Sequence, residues 1–188
     1  MGKRFGILIQ TCAATLLTAL AGHAETQAGP RADWQEFRSE PGNFLLWVPG
    51  KPEELKVEGC APGAQVWQAS GDSLLTVFQF GYIGRQERVR GTDRDRLLGE
   101  LVQETADRMK GTVVSSDRIT LSGWPGRESR IKFAAGEIPM CMIDRLYLIR
   151  DTKLFVRIVV PEERAGNADH RKILDSFKLI DEAKCPRE

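Results

Sequence analysis

Thiol and imidazole chemistry has one candidate pair outside the N-terminal leader of this 188-residue chain: Cys141, set between Met140 and Met142, and His170, flanked by Asp169 and Arg171. An imidazole within reach of a thiol can take its proton and create a nucleophile. The context of both residues argues for a quieter role. Cys141 opens an apolar stretch and reads as a buried, inert thiol, while His170 reads as a surface histidine on a solvated helix turn. Asp144 lies in that same apolar stretch beside Arg145, and reads as a structural salt bridge or as part of a solvated sheet edge.

Other groupings are weaker still. Glu53, Glu54, Glu58 and Cys60 gather acidic and thiol ligands in one segment, but at a spacing that matches no zinc or calcium pattern. Gly123-Trp124-Pro125-Gly126 lacks the Lys and Ser or Thr of a phosphate-binding loop and reads as a turn. No serine stands in the Gly-x-Ser-x-Gly arrangement of a hydrolase elbow. No catalytic, cofactor-binding or metal-binding residue is therefore assigned, and no cofactor is expected.

Two surface features remain. Arg85, Arg88, Arg90, Arg94 and Arg96 form the densest cationic run, tempered by Glu87, Asp93 and Asp95, and Arg85 with Arg88 is a candidate contact for an anion or acidic partner. Trp124, held between Gly123 and Pro125, is the tryptophan expected to be exposed and to join that interaction surface. Trp47 and Trp67 are expected in the core.

The elements that would position these residues follow from periodicity and turn signals. Phe44 to Val48 is a short strand between Pro41-Gly42 and Pro49-Gly50, with apolar side chains expected to be buried on both faces. Residues 51–63 read as a loop. Gln65 to Ala69 and Ser73 to Tyr82 form a hairpin about Ser70-Gly71-Asp72, with Leu74, Phe78, Phe80 and Tyr82 on one face, and this pair is expected at the sheet centre. Leu97, Leu98, Leu101, Val102, Ala106 and Met109 predict a helix over 93–110, capped by Thr92 and ended by Gly111 in a left-handed conformation. Thr112 to Leu121 and Arg127 to Phe133 form a second hairpin, and Met140 to Ile149 and Leu154 to Val160 a third. A short helix over 168–177, capped by Asn167, turns Ile173, Leu174 and Phe177 inward. Consecutive strands with short connections imply an antiparallel sheet, and the amphipathic helices must cover its faces, giving an α+β fold with a sheet sandwiched between helices.

The first residues bear on location. Lys3 and Arg4 precede an apolar run from Phe5 to Ala21, and Gly22-His23-Ala24 places small residues where a signal peptidase reads. Gln10, Thr11, Thr15 and Thr18 interrupt the run, which favours a cleaved signal peptide (residues 1–24) over a membrane anchor. Cys12 follows Ile9-Gln10-Thr11, which argues against a lipoprotein. Residues 25–33 read as a disordered leader, 34–182 as a single α+β domain and 183–188 as a C-terminal tail. Secreted or periplasmic location follows, with no transmembrane segment after cleavage. The chain holds 27 Lys and Arg against 26 Asp and Glu, for a net charge of +1, a balance that argues against nucleic acid or anionic lipid as the main partner. In an oxidising compartment Cys60, Cys141 and Cys185 should form one disulfide and leave one thiol. Cys60 with Cys185 is the favoured pair, though spacing leaves the other pairings open.

Phe44-Leu45-Leu46-Trp47-Val48-Pro49-Gly50, Leu121-Ser122-Gly123-Trp124-Pro125-Gly126-Arg127-Glu128, Asp144-Arg145-Leu146-Tyr147-Leu148 and Leu174-Asp175-Ser176-Phe177-Lys178-Leu179 resemble segments of exported bacterial proteins similar to the PsbP-like and DcrB-like domains. The resemblance spans most of residues 34 to 180. It implies an antiparallel sheet between helices and an accessory role in binding and stabilising larger assemblies, and it carries no catalytic or ligand-binding residue over to this chain. The expected function is a secreted, non-catalytic binding or accessory domain of the periplasm or cell envelope, with a protein partner or small ligand. The alternatives are an envelope enzyme using Cys141 with His170 or a carboxylate pair, and a carrier that holds a small apolar molecule between sheet and helix.

Overall fold

The computed structural model describes residues 33–56, 64–70, 76–83 and 93–181. The leader, Glu58, Cys60, Leu74, Arg85, Arg88, Arg90, Thr92 and Cys185 lie outside the described residues, and so does the expected disulfide.

Strand β1 (Trp34–Ser39) pairs with β2 (Phe44–Pro49), and β2 pairs on its other side with the short C-terminal β10 (Lys178–Leu179). The Asn43 side chain fastens this joint: its amide donates to the Asp181 carbonyl at 3.1 Å and its carbonyl accepts from Asp181 N–H at 3.0 Å. β3 (Glu53–Leu55) lies within the segment expected to be a loop; Leu55 packs inward while its two glutamates stay exposed. β4 (Gln65–Ser70), β5 (Val77–Ile83), β6 (Thr112–Leu121), β7 (Trp124–Ala135), β8 (Ile138–Ile149) and β9 (Thr152–Pro161) complete a seven-stranded antiparallel sheet in the order β3-β4-β5-β9-β8-β7-β6. The centre of the sheet is therefore β9 rather than the β4–β5 pair. Local pairing joins β6 to β9 as a meander, and the long-range β5–β9 pairing joins this meander to the earlier strands.

Helix α1 (Arg94–Arg108) crosses one face of the sheet, where Leu97, Leu98, Leu101, Val102 and Ala106 pack with Ile131, Phe133, Met140, Met142, Leu146 and Leu148. Its cap is Asp93, whose carboxylate accepts from Asp95 N–H at 2.9 Å, so the helix begins one residue later than a Thr92 cap requires. At its other end Lys110, not Gly111, takes the left-handed conformation, at φ 51°. Lys110 N–H donates to the Asp107 carbonyl and Gly111 N–H to that of Ala106, the double bond of a Schellman ending. Gly111 is needed for space, since a Cβ there would lie 2.6 Å from the Lys132 carbonyl oxygen.

The opposite face is shared by the three-stranded sheet and helix α2 (Ala168–Ser176), preceded by a 3-10 turn over Glu162–Arg164. Phe44, Leu46 and Val48 from β2 and Ile173, Leu174 and Phe177 from α2 and its end meet Phe78, Phe80, Ile143, Val156 and Ile158. The fold is α+β and mostly sheet, and the second sheet takes a share of the cover that the sequence reading gave to helices.

β2 is apolar on both sides but buried on only one, which leaves Trp47 42% exposed. The β6–β7 hairpin turns on Ser122-Gly123, with φ of 50° and 86°, so Trp124 is the first residue of β7 and not part of the turn.

Gly81 allows β5 to approach β4, because a Cβ there would stand 2.2 Å from the Gln65 carbonyl oxygen. Gly81→Ala is expected to cost about 1–3 kcal/mol through overpacking, seen as a lower urea midpoint. Gly99→Ala, inside α1 with nothing within 4 Å of the added methyl, should instead raise stability by about 0.5–1 kcal/mol. Equal or reversed effects would contradict this packing.

Candidate functional site

Asn167 sets the phase of α2. Its side chain accepts from Asp169 N–H at 3.0 Å, and the turn that follows directs His170, Ile173 and Leu174 toward the sheet. His170 is consequently buried, at 4% exposure, with its ring edge-on to Phe78 at 6.1 Å between centroids. This corrects the surface histidine expected from sequence, where the charged neighbours Asp169 and Arg171 mask the inward phase. Burial pushes the His170 pKa down, and Arg130 lowers it further; the Ala165 carbonyl and Asp169 oppose them. Nδ1 is buried without a hydrogen-bond partner.

Cys141 is buried at 3% exposure, with Sγ 4.0 Å from the Met142 carbonyl oxygen. Burial raises its pKa against the nearby cations Arg130 and Lys132, so the group stays a thiol at neutral pH rather than the reactive thiolate. Among the described residues no hydrogen bond joins Cys141 to His170.

A cavity of about 100 Å³ opens at the N-terminal end of α2, lined by Arg130, Ile143, Gly166, Asn167, His170 and Arg171 among others. Arg130 comes from β7, between two occupied neighbours on the same strand face. Glu128 accepts from Arg145 at 2.7 Å and from Arg171 at 3.2 Å, and Lys132 is paired with Glu162 at 2.5 Å. No hydrogen bond or ion pair with another described residue engages Arg130. Arg145 also reaches the far end of α2, donating to the Leu174 carbonyl at 2.6 Å and to Asp175 at 2.9 Å.

Asp144 and Arg145 point to opposite faces of β8, as adjacent strand residues must. The buried partner of Asp144 is instead Arg157, its cross-strand neighbour on β9, at 2.8 Å. The same row continues in register through Ser129 and Ser116 on one side and Gln79 and Gln68 on the other. A polar line thus crosses six strands on the α1 face, with Asp144 and Ser129 at 0% exposure. Asp144 Oδ1, Ser129 Oγ and Arg157 Nε lack partners.

The tryptophans fall differently from expectation. Trp124 is 8% exposed and covered by the Arg94 guanidinium, 5.1 Å above its ring, because it belongs to a paired strand. Trp67 packs partly buried against Phe37 at 4.8 Å and stacks on Phe80 at 6.1 Å. Trp47 faces outward on β2, and the register β1–β2 puts Trp34 on that same outer face, with Lys172 Nζ 3.9 Å from the Trp34 ring centroid. Of the cationic run, Arg94 and Arg96 are described; Arg96 pairs with Glu100 at 2.9 Å. Among the described residues no group of His, Cys, Asp and Glu is placed to hold a metal.

Because His170 is held below its ordinary pKa, the unfolded chain takes up the proton first as pH falls. Stability from this source is complete above about pH 6.5 and declines below it. Thermal melts between pH 7 and 5.5 should show this slope, and His170→Leu should flatten it; an unchanged slope would exclude the buried neutral histidine. Asp144→Ala, which strands the Arg157 charge, should cost about 3–5 kcal/mol in chemical denaturation, while Asp144→Leu with Arg157→Met should recover most of that. A single-variant loss below about 1 kcal/mol would show that the pair is not sequestered.

Among solved structures, the chain is similar to the solution structure of cyanobacterial PsbP (CyanoP) from Synechocystis sp. PCC 6803, at 10% identity and a TM-score of 0.60, over 84% of this chain and 98% of that one. A Bacteroides thetaiotaomicron VPI-5482 protein is similar over 79% of this chain and 49% of its own, at 12% identity and a TM-score of 0.48. LpqN, involved in cell envelope biogenesis of Mycobacterium tuberculosis, is similar over 84% and 87%, at 10% identity and a TM-score of 0.42. No protein-family model and no curated protein sequence matches the chain. The likeness to cyanobacterial PsbP covers 98% of that protein, and at 10% identity it speaks to architecture: this chain has a PsbP-like fold.

Proposed function

We propose that this protein acts outside the cytoplasm, in the periplasm or at the cell envelope, as a non-catalytic accessory domain that binds a protein partner. The observation that carries this reading is the outer face of the small sheet. Trp47 stands 42% exposed there, on a strand whose other face is occupied by core side chains, while Trp34 on the paired strand is half-buried against the core under Lys172. A large aromatic left outside a well-filled core is the usual anchor of a protein interface.

Other features support it. The leader from Lys3 to Ala24 has the form of an export signal, and among the described residues no helix is long and apolar enough to cross a membrane. The side chains with the most reactive potential are engaged in the fold: Asp144 in an ion pair and Cys141 as a thiol inside the core. Arg85 and Arg88, outside the described residues, remain proposed contacts for an acidic region of the partner.

Photo-crosslinking from position 47 in the native envelope fraction should capture a discrete partner, whereas the same probe at the exposed Gln103 on α1 should not. Trp47→Ser should weaken the complex by about 2 kcal/mol or more with little effect on the melting temperature. Equal capture from both positions, or none from position 47, would remove this interface.

A further inference from the structure

We propose that the cavity at the start of α2 is a binding site for one small oxyanion of phosphate or sulfate size, held by Arg130, Arg171, His170 and the first-turn N–H of Ala168. The site lies away from Trp47 and does not depend on the partner-binding reading.

The case begins with charge. Arg130 projects from β7 into a cavity with no ion pair to another described residue, although its strand neighbours Glu128 and Lys132 are both paired. Arg171 on α2 lines the same space and is held only loosely, 3.2 Å from Glu128, with its side chain 52% exposed. Neither Glu128 nor Asp169 lines the cavity. The positive end of the helix dipole adds to this field, because first-turn N–H groups have no partners within the helix. Asn167 takes two of them, its side chain accepting from Asp169 N–H and its carbonyl from His170 N–H, which leaves that of Ala168 for a ligand.

His170 is an independent observation. It is buried at 4% exposure and lines the cavity; the Ala165 carbonyl acts on the ring, but Nδ1 has no partner at hydrogen-bond geometry. A buried polar atom left unpaired costs about 1–3 kcal/mol and calls for a missing partner. Bulk fits as well. A cavity of about 100 Å³ has room for a phosphate-sized group, being several times the space one water needs.

Binding should be linked to protonation. The groups facing His170 are Arg130 from β7, Asp169 and Arg171 from α2, the Ala165 carbonyl from the preceding turn, and the apolar Ile143 and Phe78 from β8 and β5. An anion beside the ring favours imidazolium, so binding takes up a proton and tightens as pH falls.

The test is imidazole NMR of the exported protein, with the His170 signal assigned by its loss in His170→Asn. Sodium sulfate, whose charge is constant from pH 8 to 5, is titrated against sodium chloride at equal ionic strength. The expected result is a saturable shift of His170, a raised His170 pKa in sulfate, and affinity that is higher at pH 5.5 than at pH 7.5. Arg130→Gln should weaken sulfate at least tenfold, and Arg130→Lys, which keeps charge without the planar fork, should weaken it less. Arg96→Gln should change nothing.

Flotation with phosphatidylglycerol vesicles separates the sources of the anion. Arg130-dependent flotation identifies a lipid phosphate, whereas a saturable sulfate response without flotation identifies a soluble ion. Both results support the site. A response that follows ionic strength alone, or that survives Arg130→Gln unchanged while the variant melts like the parent, overturns it.

Discussion

The β8–β9 pair is apolar on both of its faces, and this requirement for cover on two sides organises the molecule. Met140, Met142, Leu146 and Leu148 point to one side of β8, and Cys141, Ile143, Tyr147 and Ile149 to the other. A strand can satisfy this only at the inside of a sheet with a layer on each face. α1 supplies one layer; β2, β10 and α2 supply the other. Each fully buried side chain of this kind contributes about 1.5–3 kcal/mol, so leaving either face bare would cost more than a domain's net stability.

That burial also explains the treatment of polar groups. The row from Gln68 to Ser116 runs across the covered sheet, so its buried members rely on cross-strand neighbours, while Ser116 at its end accepts from Arg127. Asp144 finds Arg157 across the strand pair, and Gln79 donates to Gln68 at 3.1 Å. A buried ion pair of this type adds little net stability relative to an apolar pair, yet removing one member is costly. The other face handles charge differently: Glu128, Arg145, Arg171 and Asp175 form a linked set at the sheet's margin that ties α2 down along its length. Arg130 stands beside this set and outside it, lining the cavity at the start of α2 together with Arg171.

Much of the fold was legible in sequence. The three hairpins, α1 and α2, the Asn167 cap and the buried thiol Cys141 follow from period-2 and period-3.6 patterns with turn residues at their ends, which are local properties of the chain. β1, β3 and β10 were not legible. They are short and carry several exposed polar residues, and they are strands only because a neighbour offers an edge to pair with. Trp47 and Trp124 exchanged expected places for related reasons. The β2 pattern is apolar on both sides, but only one side meets a layer, and a two-residue turn at Ser122-Gly123 draws Trp124 into the ladder.

The candidate site divides along the same line. Sequence by itself determined that His170 lies in the first turn of a helix capped by Asn167. Only tertiary structure decided that His170 turns inward, that Asp144 pairs with Arg157 rather than Arg145, and that Arg130 meets α2 without an ion pair to any described carboxylate. Helix and strand periods are set by backbone geometry within a few residues, whereas the partner of a buried charge is chosen by strand register and layer packing between segments far apart in the chain.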